Sequence, residues 1–207
     1  MFITLEGPEG GGKTSHIQAL VEFLCAQGID ARATCEPGGT SIGDQVRDVL
    51  KNTNNVEMHP RTEILLFCAA RAQLVEQVIV PGLADGVTYV SDRYADSTLA
   101  YQGYGHGVDL STLRSLLNFA TGGRWPDLTF LLDIPTEAGL DRKRLQKMDW
   151  NRFEEYELDF HRRVRSGYLE LARQDPQRWR IIDALQPWKD VQAQMQQAVA
   201  EYIKKIK

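Results

Sequence analysis

Gly7-Pro8-Glu9-Gly10-Gly11-Gly12-Lys13-Thr14, followed by Ser15, fits the pattern G-x-x-x-x-G-K-[ST] at every fixed position. Phe2 to Glu6, just before it, is short, apolar and β-prone, and just after it Ile17, Leu20, Val21 and Leu24 recur at helical spacing. Strand, glycine loop and helix in that order is the setting in which such a loop wraps a polyphosphate. Glycines lack the Cβ that would hold the backbone off, so successive N–H groups can point at phosphate oxygens while the helix N-terminus adds its positive dipole end. Lys13 is then expected to reach the β- and γ-phosphates of ATP, and the Thr14 hydroxyl to ligate Mg²⁺.

The βα unit recurs along the chain. Ala31 to Cys35 reads as a second strand, closed by Glu36-Pro37-Gly38-Gly39 and followed by a helix marked by Ile42, Val46, Val49 and Leu50. A long helical pattern runs from Glu63 to Val80 and is expected to stop near Pro81. Val87 to Ser91 is a third strand that gives way to Asp92, and Ala95 to Gly103 and Leu110 to Ala120 are helical. Thr129 to Ile134, a near-continuous apolar run, suits a buried parallel strand. Phe153, Tyr156, Phe160 and Val164 keep helical spacing to about Leu171, Trp179 to Asp183 is a fifth strand, and Val191 to Ile206 stripes a last helix. The expected fold is α/β: a P-loop NTPase fold with a five-stranded parallel sheet, helices on both faces and a lid segment, in one domain spanning 1–207.

Composition excludes several partners. With 207 residues, 43% hydrophobic, 25% charged and a formal net charge of −4, the chain has the balance of an ordinary globular protein and no surplus of cations for a nucleic-acid backbone. Cys25, Cys35 and Cys68 are odd in number and widely spaced, so neither a disulfide framework nor a zinc site is expected. No basic leader and no apolar run of bilayer-spanning length is evident, so the expectation is a cytoplasmic protein without membrane or polymeric nucleic-acid partners.

A magnesium-bound triphosphate calls for a second acidic group, because the ion keeps waters that need carboxylate acceptors. Asp92 at the end of the third strand fits, and Asp133 at the end of the fourth competes. Asp92 is favoured because Arg93, a phosphate-handling group, follows it at once. Phe67 and Arg71 are four residues apart on a helix, as a base-stacking ring and a phosphate-gripping guanidinium would be, although a core Phe beside a surface Arg has the same spacing. Asp92-Arg93-Tyr94, Ser97, Thr98, Tyr101 and Gln102 gather at the carboxyl edge of the sheet, where open α/β folds bind ligands. Ser97 and Thr98 could equally be local caps. Arg142, Lys143, Arg144, Lys147 and Arg152 form either a solvated basic face or a lid, approximately 141–153, that closes on ATP and keeps water out. No guanine-reading Asn-Lys-x-Asp stretch is present, which leaves a kinase for a nucleotide or other acceptor ahead of a nucleotide switch.

Taken together, Gly7 to Ser15, Glu36-Pro37-Gly38-Gly39-Thr40, Leu65-Leu66-Phe67, Ala69-Ala70-Arg71-Ala72-Gln73, Asp92-Arg93-Tyr94 through Gly103, and Arg152-Phe153-Glu154 resemble the thymidylate kinases over nearly the whole chain. The resemblance implies transfer of the γ-phosphoryl group of ATP to dTMP, with Mg²⁺, in a homodimer; the apolar face of the Glu63 to Val80 helix is a candidate contact, although an ordinary core face would look the same. It implies that Phe67 stacks on thymine, that Arg71 contacts base and phosphate, and that Thr98 lies by the pyrimidine edge. Glu36, Pro37, Ser97 and Gln102 would complete the acceptor site, and Tyr101 would disfavour a 2′-hydroxyl. Glu9 takes the place of the acidic loop residue near the acceptor, and Arg93 that of the arginine bridging both nucleotides' phosphates. Gly10 stands where eukaryotic members carry an arginine, so the likeness is to the bacterial type, whose lid supplies the catalytic arginine. Arg144 takes that role, with Arg152 and Arg142 as alternatives. Cys35, His106 and Met148-Asp149-Trp150-Asn151 depart from the family pattern.

Overall fold

In the computed structural model, which describes residues 1–145 and 156–206, five parallel strands run in the order β2-β3-β1-β4-β5. They are β1 (Phe2–Glu6), β2 (Ala31–Cys35), β3 (Thr88–Asp92), β4 (Leu128–Asp133) and β5 (Trp179–Asp183). The helices are α1 (Lys13–Ala26), α2 (Ser41–Lys51), α3 (Pro60–Leu74), α4 (Val80–Ala84), α5 (Ala95–Thr98), α6 (Leu110–Thr121), α7 (Thr136–Leu145), α8 (Leu158–Gln174) and α9 (Trp188–Ile206). This is the doubly covered parallel sheet expected for a P-loop fold.

The alternation of side chains along β1 assigns the two faces. Ile3 and Leu5, with Val90, Phe130, Leu132 and Ile182, pack under α1 and α9 through Leu20, Leu24, Val191 and Met195. Phe2, Tyr89 and Leu131 point the other way, against Leu74, Leu99, Leu113 and Tyr168. Because β1 is central, both of its faces are buried, and a polar residue at its end is held wherever the register puts it. Leu5 pairs with Asp92, Glu6 with Leu131, and Asp133 with Asp183, so the acidic strand ends finish at one edge.

Several boundaries differ from the sequence reading. The third and fourth strands sit one residue from their expected limits, because Asp92 still pairs with Leu5 and Cys35 while Ile134 has left the ladder. The long helix begins earlier, at Pro60, where His59 Nδ1 accepts from the Arg61 N–H at 3.2 Å. It also does not stop at Pro81. A π-helical turn, Val75–Ile79, widens the backbone just before α4, which carries Pro81 in its first turn, where a missing N–H removes no bond. The helix expected over Ala95 to Gly103 is present, as α5 followed directly by a second π segment, Leu99–Gly105.

The expectation that no stretch has bilayer-spanning length also needs correction. Pro60–Ala84 is 25 residues long with a mean hydropathy of 1.5 in its best window. Length and composition alone would admit it, but Glu63 and Arg71 are buried within it against polar partners of this same fold. The helix expected from Phe153 is seen from Leu158; Phe153 lies outside the described residues.

Candidate functional site

The loop between β1 and α1 folds as a cradle because its glycines hold backbone angles that a Cβ would forbid. Gly7 (φ 142°) and Gly10 (φ 74°) lie against the carbonyls of Leu132 and Gly139, with no room for a side chain. Pro8, Glu9, Gly11 and Gly12 complete the turn, and Ser15 Oγ donates to Gly12 O at 2.8 Å. Lys13 is buried, and its Nζ donates to Gly7 O (2.9 Å) and Pro8 O (2.8 Å), so the ammonium is folded over the loop it serves.

Asp92 reaches the loop from β3. Thr14 Oγ1 donates to Asp92 Oδ2 at 2.5 Å, which brings together the two oxygens expected to hold Mg²⁺. Two hard oxygen donors at the mouth of a phosphate cradle fit a cation that takes one or two protein ligands and keeps its waters. Asp133, the competing carboxylate, is committed elsewhere: Arg165 Nε and Nη2 donate to it at 2.8 and 2.9 Å.

Arg93 is the hub. It has a positive φ of 68°, a backbone state that costs a non-glycine residue roughly 1 kcal/mol or more. Its N–H donates to Leu5 O, and its carbonyl accepts from Ser91 Oγ. Its Nη1 donates to Gly7 O, Ser97 Oγ and Tyr168 Oη, and its Nη2 to Glu9 Oε1 at 2.5 Å and Tyr101 Oη at 3.1 Å. Glu9 also accepts from Tyr101 Oη (2.7 Å) and Lys143 Nζ (3.4 Å). Burial alone would raise the Glu9 pKa, but Arg93, Lys13 and Lys143 outweigh it and hold the carboxylate well below its usual range. Burial, with Arg93 nearby, pushes Lys13 down to about 8 against the pull of Glu9 and Asp92.

A cavity of about 750 Å³ extends from this hub in two directions. One arm is walled by Glu36, Pro37, Phe67, Arg71, Thr98 and Gln102. Arg71, 1% exposed, donates through Nε to Glu36 Oε2 (2.8 Å), through Nη1 to Thr98 Oγ1 and through Nη2 to Tyr94 O. It is therefore not the surface arginine that its spacing also allowed. Gln102 Nε2 donates to buried Glu63 at 2.6 Å, and Pro37 O accepts from Arg47. The other arm runs past His16 to Ala184, Gln186, Trp188 and Val191. There the rings of His16 and Trp188 stack 5.1 Å apart at 9°.

The basic run divides. Arg142 lines the cavity and donates through Nη1 to Gly10 O and Ala184 O, and Lys143 reaches Glu9. Arg144 is not brought into the cavity; its side chain is 63% exposed, 3.7 Å from Asp141. Lys147 and Arg152 lie outside the described residues, as does most of the 141–153 segment. Sequence reasoning missed Lys143 as a partner of Glu9, Tyr168 as a partner of Arg93, and the His16 and Trp188 wall. Lys143 was visible only as one cation among several, and the others join the site from distant elements without any motif.

Comparison with known proteins gives one consistent result. A family model described as thymidylate kinase matches residues 5–195. The thymidylate kinase of Roseiflexus castenholzii is 47% identical over 218 aligned residues, covering 100% of this chain and 95% of that one. That of Desulfosudis oleivorans is 48% identical, with 94% of each chain covered. Among solved structures, the thymidylate kinase of Ehrlichia chaffeensis superposes with a TM-score of 0.77 at 31% identity, covering 96% of this chain and 98% of that one.

The depressed Lys13 predicts proton uptake on nucleotide binding. An anionic phosphate favours the charged ammonium, so at pH 8 ADP binding should take up roughly half a proton at this residue, fading as pH falls toward 6.5. Calorimetry in two buffers of different ionisation enthalpy measures the uptake. Equal uptake in Lys13→Met at pH 8 would assign it to another group.

Proposed function

The chain belongs to the thymidylate kinase family and transfers the γ-phosphoryl group of ATP to dTMP, giving dTDP and ADP, and we propose that it does so by direct in-line transfer across the Arg93 hub. The observation that carries this reading is the position of Arg93. Its guanidinium joins Gly7 and Glu9 of the phosphate loop to Tyr101 of the opposite wall, so phosphates entering from either arm meet the same cation. Transfer spreads charge over the equatorial oxygens, and donors already fixed at that point need no reorganisation when the charge develops.

In this reading ATP lies with its phosphates in the Gly7 to Ser15 cradle, Lys13 on the β/γ oxygens and its base toward His16 and Trp188. The acceptor base stacks on Phe67 beside Arg71 and Thr98, with Glu36, Pro37, Ser97 and Gln102 shaping the rest of its site. Tyr101 lies under the sugar, where a 2′-hydroxyl would crowd the ring. Glu9 steers Arg93 and, with Lys143, frames the approach of the acceptor. Thr14 and Asp92 would hold Mg²⁺, which when bound would neutralise charge on the phosphates. Residues 141–153 serve as the lid. Arg144 is its catalytic arginine, with Arg152 and Arg142 as the alternatives; Arg142 lies on the cradle.

The enzyme works as a homodimer in the cytoplasm in this proposal. Leu65 of α3, on the helix whose apolar face is the candidate contact, is 57% exposed and available to a second copy. The three cysteines are free, in keeping with a reducing compartment.

A coupled ADP-release assay across nucleoside monophosphates tests the substrate. The expected order is dTMP well ahead of UMP and AMP, and Arg93→Ala should lower kcat by at least ~10²-fold, as loss of a charge-stabilising donor does. Equal turnover with UMP rejects the acceptor assignment, and near-normal turnover of Arg93→Ala removes the hub from the mechanism. Tyr101→Ala should narrow the preference for dTMP over its ribose counterpart by about tenfold or more; an unchanged ratio contradicts the steric role. Sedimentation equilibrium should give the mass of a dimer, with Leu65→Glu shifted toward monomer. A monomeric wild type at every concentration sinks the dimer.

A further inference from the structure

Glu6 ends β1 fully buried, and it is met by three neutral donors. Its Oε1 accepts from the Tyr94 N–H at 2.7 Å, and its Oε2 accepts from Ser97 Oγ at 2.6 Å and from Tyr168 Oη at 2.9 Å. The same two hydroxyls accept from Arg93 Nη1, at 3.2 and 3.1 Å, and lie 2.8 Å from each other. Each hydroxyl owns one proton. With Glu6 ionised, both protons are drawn to Oε2, and the lone pairs left on both oxygens face the guanidinium.

We propose that Glu6 is a positioning residue for phosphoryl transfer: through the hydroxyls of Ser97 and Tyr168 it fixes Arg93 Nη1 and so aims the guanidinium at the phosphates. The inference rests on the role given to Arg93 above. No substrate contact is required of Glu6, which lies behind Arg93 in this chain of bonds.

Protonation of Glu6 loosens the arrangement, because the negative charge that draws both hydroxyl protons away from Arg93 is lost. A proton on Oε2 has to be donated, and the nearest acceptors are the two hydroxyls. The hydroxyl that accepts it must turn its own proton away from Oε2, toward the other hydroxyl 2.8 Å away, so one lone pair on each oxygen is committed elsewhere and the carboxylate no longer dictates that both oxygens face Arg93 Nη1.

The surroundings bring that proton into the working range. Burial raises the Glu6 pKa, and Asp96 of α5 raises it further, while Ser97, Arg93 and Tyr168 draw it back, leaving it at about 7. Lys13 at the start of α1 senses the same carboxylate, and Arg178, just before β5, faces Asp96 from the far side at 2.6 Å. The ionised form that holds Arg93 is therefore complete above this pH and is lost as pH falls through it.

The kcat of wild type, Glu6→Gln, Tyr168→Phe and the double variant, followed from about pH 5.5 to 9 beside Arg93→Ala, decides the proposal. Wild-type kcat should fall on the acid side with an apparent midpoint near 7. Glu6→Gln should lower kcat roughly tenfold or more at pH 8, leave both KM values within about twofold, and flatten that acid limb. The double variant should lose little more than the worse single, since both changes act through one guanidinium. A Glu6→Gln enzyme with wild-type kcat, an unchanged acid limb or additive loss overturns the proposal while Arg93→Ala remains impaired. Should Arg93→Ala turn over normally, the hub itself fails and this inference with it. If circular dichroism shows Glu6→Gln unfolded, Tyr168→Phe and Ser97→Ala decide instead, and full kcat in both overturns it.

Discussion

Everything in the site depends on the pairing of β1 with its two neighbours. A central parallel strand has no freedom to slide, because a shift of one residue would turn Ile3 and Leu5 out of one apolar layer and Phe2 out of the other. The register that burial enforces places Asp92 opposite Leu5 and lets the Arg93 N–H bond to Leu5 O. The glycine loop that leaves β1 and the acidic turn that leaves β3 are thereby set side by side. The contact of Thr14 with Asp92 follows from backbone geometry laid down in the core.

The charges assembled at that edge could not persist singly. Arg93, Lys13 and Lys143 surround Glu9, and the anion keeps three cations close in a place largely withdrawn from water. Lys13, Arg93 and Lys143 all line the cavity, so phosphates bound there as proposed would meet cations already in place. Preorganised charge of this kind accelerates transfer more than charge that must be gathered at the moment of reaction. The strained backbone at Arg93 belongs to the same design, since the surrounding bonds hold the residue in a conformation that it would not adopt alone.

How much of this could be read from the residues follows the range of the interactions. The glycine loop, β1, β2 and β5 have their expected limits because local pattern defines them, and Asp92 was preferred to Asp133 for its neighbour Arg93. The structure supplies another reason: Arg165, 32 residues further along, claims Asp133. Pro81 reads as a stop, yet the π turn before it lets the helix continue, and no residue pattern announces such a turn. Arg144 and Lys143 are adjacent in a run of like charges. Only the docking of α7 on the loop makes Lys143 the one that meets Glu9 and leaves Arg144 beside Asp141. Tyr168, 75 residues from Arg93, gave no signal at all.

The segment that bears Thr98, Tyr101 and Gln102 of the proposed acceptor wall is also the least able to stand alone. α5 is four residues long and passes directly into a π segment, so neither can be stable by its own hydrogen bonding. Buried polar groups from three directions hold it instead. Arg71 grips the Tyr94 carbonyl, Glu6 the Tyr94 N–H, and Arg178 the carboxylate of Asp96, which is 1% exposed. Apolar side chains of similar volume would often stabilise as well as buried ion pairs do. They would not fix direction, because dispersion contacts tolerate small rotations that a charged hydrogen bond does not. A wall proposed to present Thr98, Tyr101 and Gln102 to a planar ligand gains from bonds that are strict about angle. Anchoring by charge is the arrangement that this short, irregular segment requires.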